Sequence, residues 1–275
     1  MPELPEVEVS RLGLLEPLVD QSIAQAVFRT PKLRYPLLPT LAERLDGMRI
    51  TAISRRGKYL IFDCEHDRRC GWLILHLGMS GSVRLVPPGT PPQKHDHVDL
   101  VFEHTVLRFR DPRRFGLLCW HEGSPIDGHP LLAVLGIEPL SEDFNGRWLY
   151  AQTRKRTTPI KPYLMDAHRI VGVGNIYAAE SLFLARISPL RPAGKLTRNE
   201  CDRLADAVKT TLANAIAAGG SSVRDYVHSD GGAGSFQLSS AVYGREGLPC
   251  PVCRNPIKVI RQGGRSTFYC STCQR

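Results

Sequence analysis

Four cysteines near the C-terminus constrain the fold of this 275-residue chain more than any other feature. They form two Cys-x-x-Cys pairs separated by residues 254–269, and they are Cys250, Cys253, Cys270 and Cys273. This is the spacing of four-cysteine zinc sites, in which two tight turns supply thiolates to one tetrahedral ion. Four thiolates leave no position for water, so we expect one structural Zn²⁺. Two disulfides are the alternative.

The zinc segment is basic, and so is the whole chain. The net charge is +9, and residues 248–275 contain five Lys or Arg and no acid. This balance favours a polyanionic partner, although basicity alone fits proteins of RNA, DNA or membrane surfaces. The N-terminus lacks a basic-then-apolar signal, and no apolar run approaches the roughly 18 residues of a membrane span. We therefore expect a cytoplasmic protein that does not enter a membrane.

Short strand patterns dominate residues 22–120. Their lengths, their β-branched and aromatic residues and the Gly/Pro-rich breaks between them predict an antiparallel sandwich or barrel. The expected strands are Ile23–Arg29, Met48–Arg55, Tyr59–Cys64, Trp72–Leu77, Ser82–Val86, His97–Glu103, Val106–Arg110 and Gly116–Trp120. Arg55 and Arg56, at the end of the second strand, are read as surface charge.

The period becomes helical beyond a Gly/Pro-rich connection around Ser124–Pro139. Thr197 and Glu200 form a capping-box pattern before the longest helix, which Gly219 and Gly220 end. The other expected helices are Asn145–Lys155, Pro162–His168 and one from Asn175 to about Ala185. We predict an α+β multidomain chain: a β-sandwich with an N-terminal helix (1–132), a helical domain (133–242) and a zinc hairpin (243–275).

The first eight residues, Met-Pro-Glu-Leu-Pro-Glu-Val-Glu, suggest a reactive amine. Because Met1 precedes a proline, we expect its removal and a free secondary amine at Pro2. A free α-amino group titrates near 7.7–8.0, so about a tenth of it is unprotonated at pH 7. A secondary amine condenses with an aldehyde to a cationic iminium, which acts as an electron sink.

Two acids accompany that amine. Pro5 suits the first turn of a helix, where Glu3 and Glu6 share a face and where the helix dipole favours carboxylates. An ordinary acidic helix start is the alternative.

Residues 171–177, Val-Gly-Val-Gly-Asn-Ile-Tyr, suggest a second site. The two glycines allow a tight double turn, and Asn175 is expected to cap a helix whose exposed N–H groups can hold a phosphate. A capped helix without a ligand is the alternative.

Together these motifs resemble the bacterial formamidopyrimidine-DNA glycosylases, which excise 8-oxoguanine and ring-opened purines. The resemblance covers nearly the whole chain and implies a helix–two-turns–helix element. It implies that Asn175 and Arg261 clamp phosphates flanking the lesion and that Lys161 makes a further phosphate contact. It also implies that Lys58, in Arg-Arg-Gly-Lys-Tyr, is an essential basic residue.

The same resemblance implies which residues replace the extruded base. Met79, Arg113 and Phe115, on two predicted turns, match the family's three void-filling residues. Turn hydrophobes are more often tucked under their loop. The polar, glycine-rich segment 219–236 matches the loop that closes over the everted base.

The implied activity is that of a bifunctional glycosylase and lyase, with Pro2 attacking C1′ of the damaged nucleotide. Glu3 is the acid/base at the sugar, Lys58 assists near the lesion, and Glu6 orients the site. Elimination of the 3′- and then the 5′-phosphate follows. The implied partner is double-stranded DNA with oxidised purines or abasic sites, bound by a monomer at the nucleoid.

Two alternatives remain open. An endonuclease VIII type would use the same chemistry on oxidised pyrimidines, but its start usually reads Pro-Glu-Gly-Pro-Glu, and Leu4 favours the purine enzyme. A catalytically silent zinc-hairpin DNA-binding protein is the other alternative.

Overall fold

The structure, a computed structural model, describes residues 1–220 and 240–275. These residues form two compact units. The first contains residues 1–133 with 219–220, and the second contains residues 134–218 and 240–275. Most of segment 219–236, the expected loop over the base, lies outside the described residues. The domain boundaries at 132/133 and 242/243 stay predictions.

The first unit contains two four-stranded antiparallel sheets. One sheet has the order β2-β3-β4-β8 and the other the order β1-β6-β7-β5. The strands are β1 (Gln25–Phe28), β2 (Arg49–Arg56), β3 (Tyr59–His66), β4 (Arg69–His76), β5 (Ser82–Val86), β6 (Asp96–Val101), β7 (Val106–Arg110) and β8 (Leu117–His121). The predicted antiparallel sandwich is confirmed, with strand ends that differ by a few residues.

One apolar core fills the space between the two sheets and the N-terminal helix α1 (Leu4–Leu18). Phe62 and Leu75 contribute from one sheet and Phe109 from the other, and each side chain is at most 3% exposed. Leu14 of α1 is completely buried in the same cluster. Because the core fixes α1 against the sandwich, it also fixes the start of the chain. Two short helices, α2 (Leu41–Leu45) and α3 (Pro130–Ala133), complete the unit.

The second unit is helical up to the zinc hairpin. Its helices are α4 (Gly146–Thr153), α5 (Ile160–Leu164), α6 (Asn175–Leu184) and α7 (Arg198–Ala217). The predicted capping box of α7 is confirmed, since the Thr197 side chain accepts from the Glu200 N–H and the Glu200 side chain accepts from the Thr197 N–H.

The prediction of a helix over Pro162–His168 was wrong in its extent. Helix α5 begins two residues earlier, after Pro159, and ends at Leu164. The Asp166 carboxylate accepts a hydrogen bond from the backbone N–H of His168, which makes a local turn beyond the helix. Asp side chains compete in this way with helical backbone bonds.

The C-terminal hairpin consists of β9 (Lys258–Gln262) and β10 (Arg265–Tyr269), joined through Gly263 and Gly264. A small apolar cluster of Ala179 on α6, Val242, Ile257 and two of the zinc-site cysteines packs the hairpin against the helix. Among residues 1–220 and 240–275, the helices are too short or too polar for one of them to cross a membrane.

Candidate active site and metal centre

The chain enters α1 through a capping box of two buried acids. Glu3 is the N-cap, and its backbone N–H donates to Glu6 Oε2 at 2.7 Å. The Glu3 side chain in turn accepts from the backbone N–H of Glu6. Such a box satisfies donors that the first helical turn leaves unpaired. Pro2, also buried, therefore leads into a fixed helix start with Glu3 next to it.

A cavity of about 540 Å³ lies at this end of the chain. It is lined by basic and apolar residues, namely Met1, Lys32, Leu33, Arg34, His76, Gly78, Met79, Arg114 and Phe115. Its size is within the usual range of small-molecule sites. The structure thus brings the N-terminus together with Met79 and Phe115, which sequence reasoning placed on separate turns.

Met79 and Phe115 are not tucked under their loops. Their residues are 40% and 44% exposed. The guanidinium of Arg113 lies 4.9 Å from the centre of the Phe115 ring, a cation–π distance. The three residues therefore form one exposed group of two apolar side chains and a cation.

His76 also lines the cavity, and sequence reasoning missed it. Burial lowers the pKa of its imidazole to about 4, with further contributions from the positive charges of Lys58 and Arg34. Its Nδ1 accepts a hydrogen bond from the Gly78 N–H at 2.9 Å. The ring is therefore neutral at pH 7 and near enough to Lys58 to sense its charge. A single histidine at a strand end gives no sequence signal that it lines a cavity or that its pKa is lowered.

The interpretation of Arg55 as surface charge was wrong. Its Nε donates to Glu8 of α1 at 2.8 Å, and a terminal nitrogen donates to the carbonyl of Gly57 at 2.9 Å. Desolvation alone would raise the pKa of the Glu8 carboxyl, but hydrogen bonds from Arg11 and Arg55 bring it below its ordinary value. Arg55 thus ties α1 to the turn in which Lys58 follows Gly57.

A second polar cluster lies in the other unit, where Lys161 is only 1% exposed. Its Nζ donates to Asn175 Oδ1 at 2.5 Å, to Thr267 Oγ1 at 2.8 Å and to the Ser266 carbonyl at 3.2 Å. The Asn175 amide donates to the same carbonyl at 3.0 Å. We call these four residues the clamp cluster. It ties α5 and the start of α6 to the hairpin.

Asn175 does not cap α6, contrary to expectation. Gly174 is the N-cap, in extended backbone, and Asn175 is the first helical residue. Its side chain is instead held by Lys161 and Ser266, which leaves it no part in capping. Arg261 is exposed on β9 and pairs in register with Ser266. The structure therefore brings Asn175, Lys161 and Arg261 to one part of the hairpin.

The four cysteines of the predicted zinc site converge. Their sulfur atoms all lie within 4.8 Å of one another, with Cys250 and Cys273 sulfurs 3.9 Å apart and Cys253 and Cys270 sulfurs 3.4 Å apart. Tetrahedral Zn–S bonds of about 2.3 Å imply S···S separations of roughly 3.8 Å. The all-thiolate donor set fits a closed structural Zn²⁺, as the sequence predicted. Within the described residues, this is the one such cluster.

Three family profiles match this chain. The formamidopyrimidine-DNA glycosylase N-terminal domain matches residues 1–118, and the H2TH domain of the same glycosylases matches residues 135–227. The zinc finger found in FPG and IleRS matches residues 247–275.

Known proteins resemble it over their full length. It is 56% identical to the formamidopyrimidine-DNA glycosylase of Dechloromonas aromatica (strain RCB), with 100% of both chains covered. Among solved structures, it resembles a variant of Lactococcus lactis FPG in complex with DNA containing Fapy-dG, at 37% identity, a TM-score of 0.91 and 100% coverage of both chains. It resembles equally the Lactococcus lactis Fpg complex with DNA containing an abasic site, at 37% identity, a TM-score of 0.91 and 99% coverage of both.

These full-length matches agree with the sandwich, the helical unit and the four-cysteine hairpin. The chain belongs to the formamidopyrimidine-DNA glycosylase family.

Proposed function

We propose that the protein is a base-excision repair enzyme that removes oxidised purines from duplex DNA and nicks the strand through an iminium at Pro2. The observation that carries this is the fixed helix start, in which Pro2 and the buried pair Glu3 and Glu6 adjoin a cavity lined by Met1. A relative with 56% identity bears the glycosylase name, and the similar Lactococcus lactis Fpg is solved with DNA containing Fapy-dG or an abasic site.

Removal of Met1 turns the Pro2 amide into a secondary amine at the edge of this cavity. Its lone pair bonds to C1′ of the damaged nucleotide, and the electrons of the glycosidic bond leave with the base. Glu3 exchanges protons with the sugar, whose ring opens to the iminium. The iminium acidifies the C2′ protons, so elimination of the 3′-phosphate and then of the 5′-phosphate follows.

Glu6 and Lys58 support this chemistry. Glu6 holds the backbone N–H of Glu3 and thereby orients the first turn of α1. The charge of Lys58 lowers the pKa of His76, which lines the cavity, so Lys58 lies close to the cavity. We assign it to assist near the lesion, where a cation stabilises developing negative charge.

Residues that take no part in the chemistry bind and bend the DNA. Asn175, Lys161 and Arg261 contact phosphates beside the lesion, and Met79, Arg113 and Phe115 enter the space that the everted nucleotide leaves. The exposure of these apolar side chains and the basic hairpin support these roles. The zinc ion holds the hairpin and takes no part in the reaction. We further propose a monomer that meets its substrate in the nucleoid.

Borohydride trapping on defined duplexes tests the proposal. A covalent adduct with 8-oxoguanine DNA, attached at Pro2 by peptide mass spectrometry, is the expected result. Pro2→Ala, which leaves a primary amine, slows trapping, whereas the matched variant Pro5→Ala retains it.

Three other outcomes contradict the proposal. An adduct formed only with oxidised pyrimidines assigns the protein to the endonuclease VIII type. No adduct at all indicates a DNA-binding protein without catalysis. Attachment at an internal side chain excludes the Pro2 mechanism.

A further inference from the structure

Asp111 has a completely buried carboxylate in the first unit, and no catalytic step above uses it. Both of its oxygens accept hydrogen bonds. Oδ1 accepts from Ser80 Oγ at 2.9 Å and from the Arg113 N–H at 3.2 Å, and Oδ2 accepts from the Gly116 N–H at 2.7 Å. Three neutral donors thus stabilise a carboxylate that burial would otherwise make costly.

These donors belong to the two turns that present the exposed group. Ser80 lies in the turn of residues 77–81, next to Met79. Arg113 and Gly116 lie in the turn of residues 111–116, on either side of Phe115. We call these two segments the wedge turns. Asp111 therefore joins them with a single side chain, and Ser80 Oγ adds a second link by accepting from the Arg113 N–H at 3.3 Å.

The backbone of Asp111 anchors this junction to the sheet. Its N–H donates to the carbonyl of His95 at 3.0 Å, and its own carbonyl lies 2.9 Å from Nε2 of His97. His97 is part of β6. The residue that holds the wedge turns is thus fixed to β6 through His97 and to the turn just before β6 through His95.

The wedge turns also approach each other too closely for a side chain at Gly78, and Gly116 is packed too closely against Phe109 and Asp111 to carry one. A Cβ added at Gly78, whose φ is +68°, would lie 2.4 Å from the carbonyl carbon of Phe115. A Cβ added at Gly116 would lie 2.6 Å from the Phe109 ring and 2.9 Å from Asp111 Oδ2. Backbone contact and the Asp111 bonds therefore act on the same two segments.

The exposed side chains need such support. Met79 and Phe115 are 40% and 44% exposed, so surrounding side chains fix them only in part. A misplacement of about 1 Å in a positioning element can cost about 100-fold in rate. Their placement depends on the backbone beneath them, and Asp111 with Ser80 sets that backbone.

We propose that Asp111, assisted by Ser80, is a positioning residue that locks the two wedge turns into one rigid element and thereby presents Met79, Arg113 and Phe115 to the DNA together. This inference rests on the void-filling role proposed above. It adds that the three side chains act as a unit because the carboxylate of a fourth residue, Asp111, holds both turns.

The test compares a substrate that needs void filling with one that does not. Asp111→Asn keeps the size of the side chain but replaces an acceptor with a donor, and Ser80→Ala removes one link with little change in volume. Each variant is assayed by borohydride trapping on an 8-oxoguanine duplex and on a single-stranded oligonucleotide with a preformed abasic site. Asp99→Asn controls for lost stability, because it alters another buried carboxylate, one that lies in β6 and pairs with Arg108.

We expect Asp111→Asn to slow trapping on the duplex about tenfold or more and on the single strand by less than about threefold. Ser80→Ala gives the same pattern at smaller size and serves alone if Asp111→Asn does not fold. In a Met79→Ala/Phe115→Ala background, Asp111→Asn adds less than about threefold on the duplex, because residues that act as a unit are not additive. Asp99→Asn affects both substrates alike.

Two outcomes overturn the inference, and they differ. If Met79→Ala/Phe115→Ala retains full duplex activity, the void-filling role fails and the inference fails with it. If that double variant is slow but Asp111→Asn slows it by its full factor again, or slows both substrates equally, the void-filling role stands and Asp111 does not act through it.

Discussion

The start of α1 and the clamp cluster are both buried polar constructions, but they are assembled from very different distances along the chain. Glu3 and Glu6 lie three residues apart and complete each other within one helical turn. Lys161 instead reaches Asn175, 14 residues away, and Thr267, 106 residues away. The first follows from helix geometry, and the second exists only when the hairpin is docked on α6.

Docking of the hairpin depends on further contacts. The buried carboxylate of Glu180 on α6 accepts from three successive backbone N–H groups, those of Ala241, Val242 and Tyr243, at 2.8–3.0 Å. Val242 then packs with the zinc-site cysteines. The comparison teaches that the proposed reacting end is locally encoded, whereas the proposed phosphate-binding residues are assembled by tertiary packing around the metal centre. The predictions below test this difference.

Zinc removal should give the largest effect. Chelation unfolds the hairpin, because structural Zn²⁺ contributes on the order of 10 kcal/mol to small thiolate sites. We expect DNA affinity, measured by fluorescence anisotropy, to fall about 100-fold or more. Reductive alkylation of Pro2 by a small aldehyde and borohydride should be unchanged in the same sample. Loss of Pro2 alkylation together with DNA affinity would contradict the distinction between the two regions.

Lys161→Met should give the next largest effect. The variant leaves the buried Thr267 hydroxyl and the half-buried Asn175 oxygen without their charged donor, and a buried acceptor that loses its partner costs about 1–3 kcal/mol. We expect the denaturant midpoint of the second unit to fall and DNA affinity to drop about tenfold. Lys195→Met, at an exposed position of the same unit, is the control. A variant as stable as that control would show that the clamp cluster does not hold the hairpin.

Glu6→Ala should cost less in stability than Lys161→Met. Loss of one side of a capping box destabilises a helix by about 1 kcal/mol. The trapping rate should nevertheless fall more than the stability change explains, since Glu6 orients the residue next to Pro2. Glu16→Ala, exposed in the same helix, provides the matched control. If Glu6→Ala is trapped as fast as Glu16→Ala, Glu6 does not orient the site.

The sequence predicted what short-range rules determine. The strands, the α7 capping box and the thiolate cluster each follow from periodicity or fixed spacing. It failed where a side chain's partner is distant: Asn175 bonds to Lys161 and not to its own helix, and Arg55 is bound by Glu8, 47 residues away. His76 was missed for the same reason, because burial and the charge of Lys58 define its state and neither is visible in local sequence.

The smallest expected effect is on the pH dependence of stability, which His76 should give to the first unit. Its pKa is about 4 in the folded chain against an ordinary 6.5, with burial as the main cause. Between these values the unfolded chain binds more protons, so the stability of the first unit should rise with pH, by at most about 1.4 kcal/mol per pH unit. Urea unfolding from pH 5 to 6.5 should show this slope, and His76→Gln should reduce it to the part contributed by His97 and His129, whose pKa values burial also lowers. The contribution of Glu8 to stability is lost only below about pH 4.5, because its folded pKa is lowered from that ordinary value. It therefore does not affect the slope between pH 5 and 6.5.

The control is His104→Gln, which should leave the slope unchanged because the His104 side chain is 83% exposed. An identical slope in His76→Gln would mean that the imidazole gains a proton in the folded chain as readily as in the unfolded chain, and a protonated ring could not accept the Gly78 N–H beside the wedge turns.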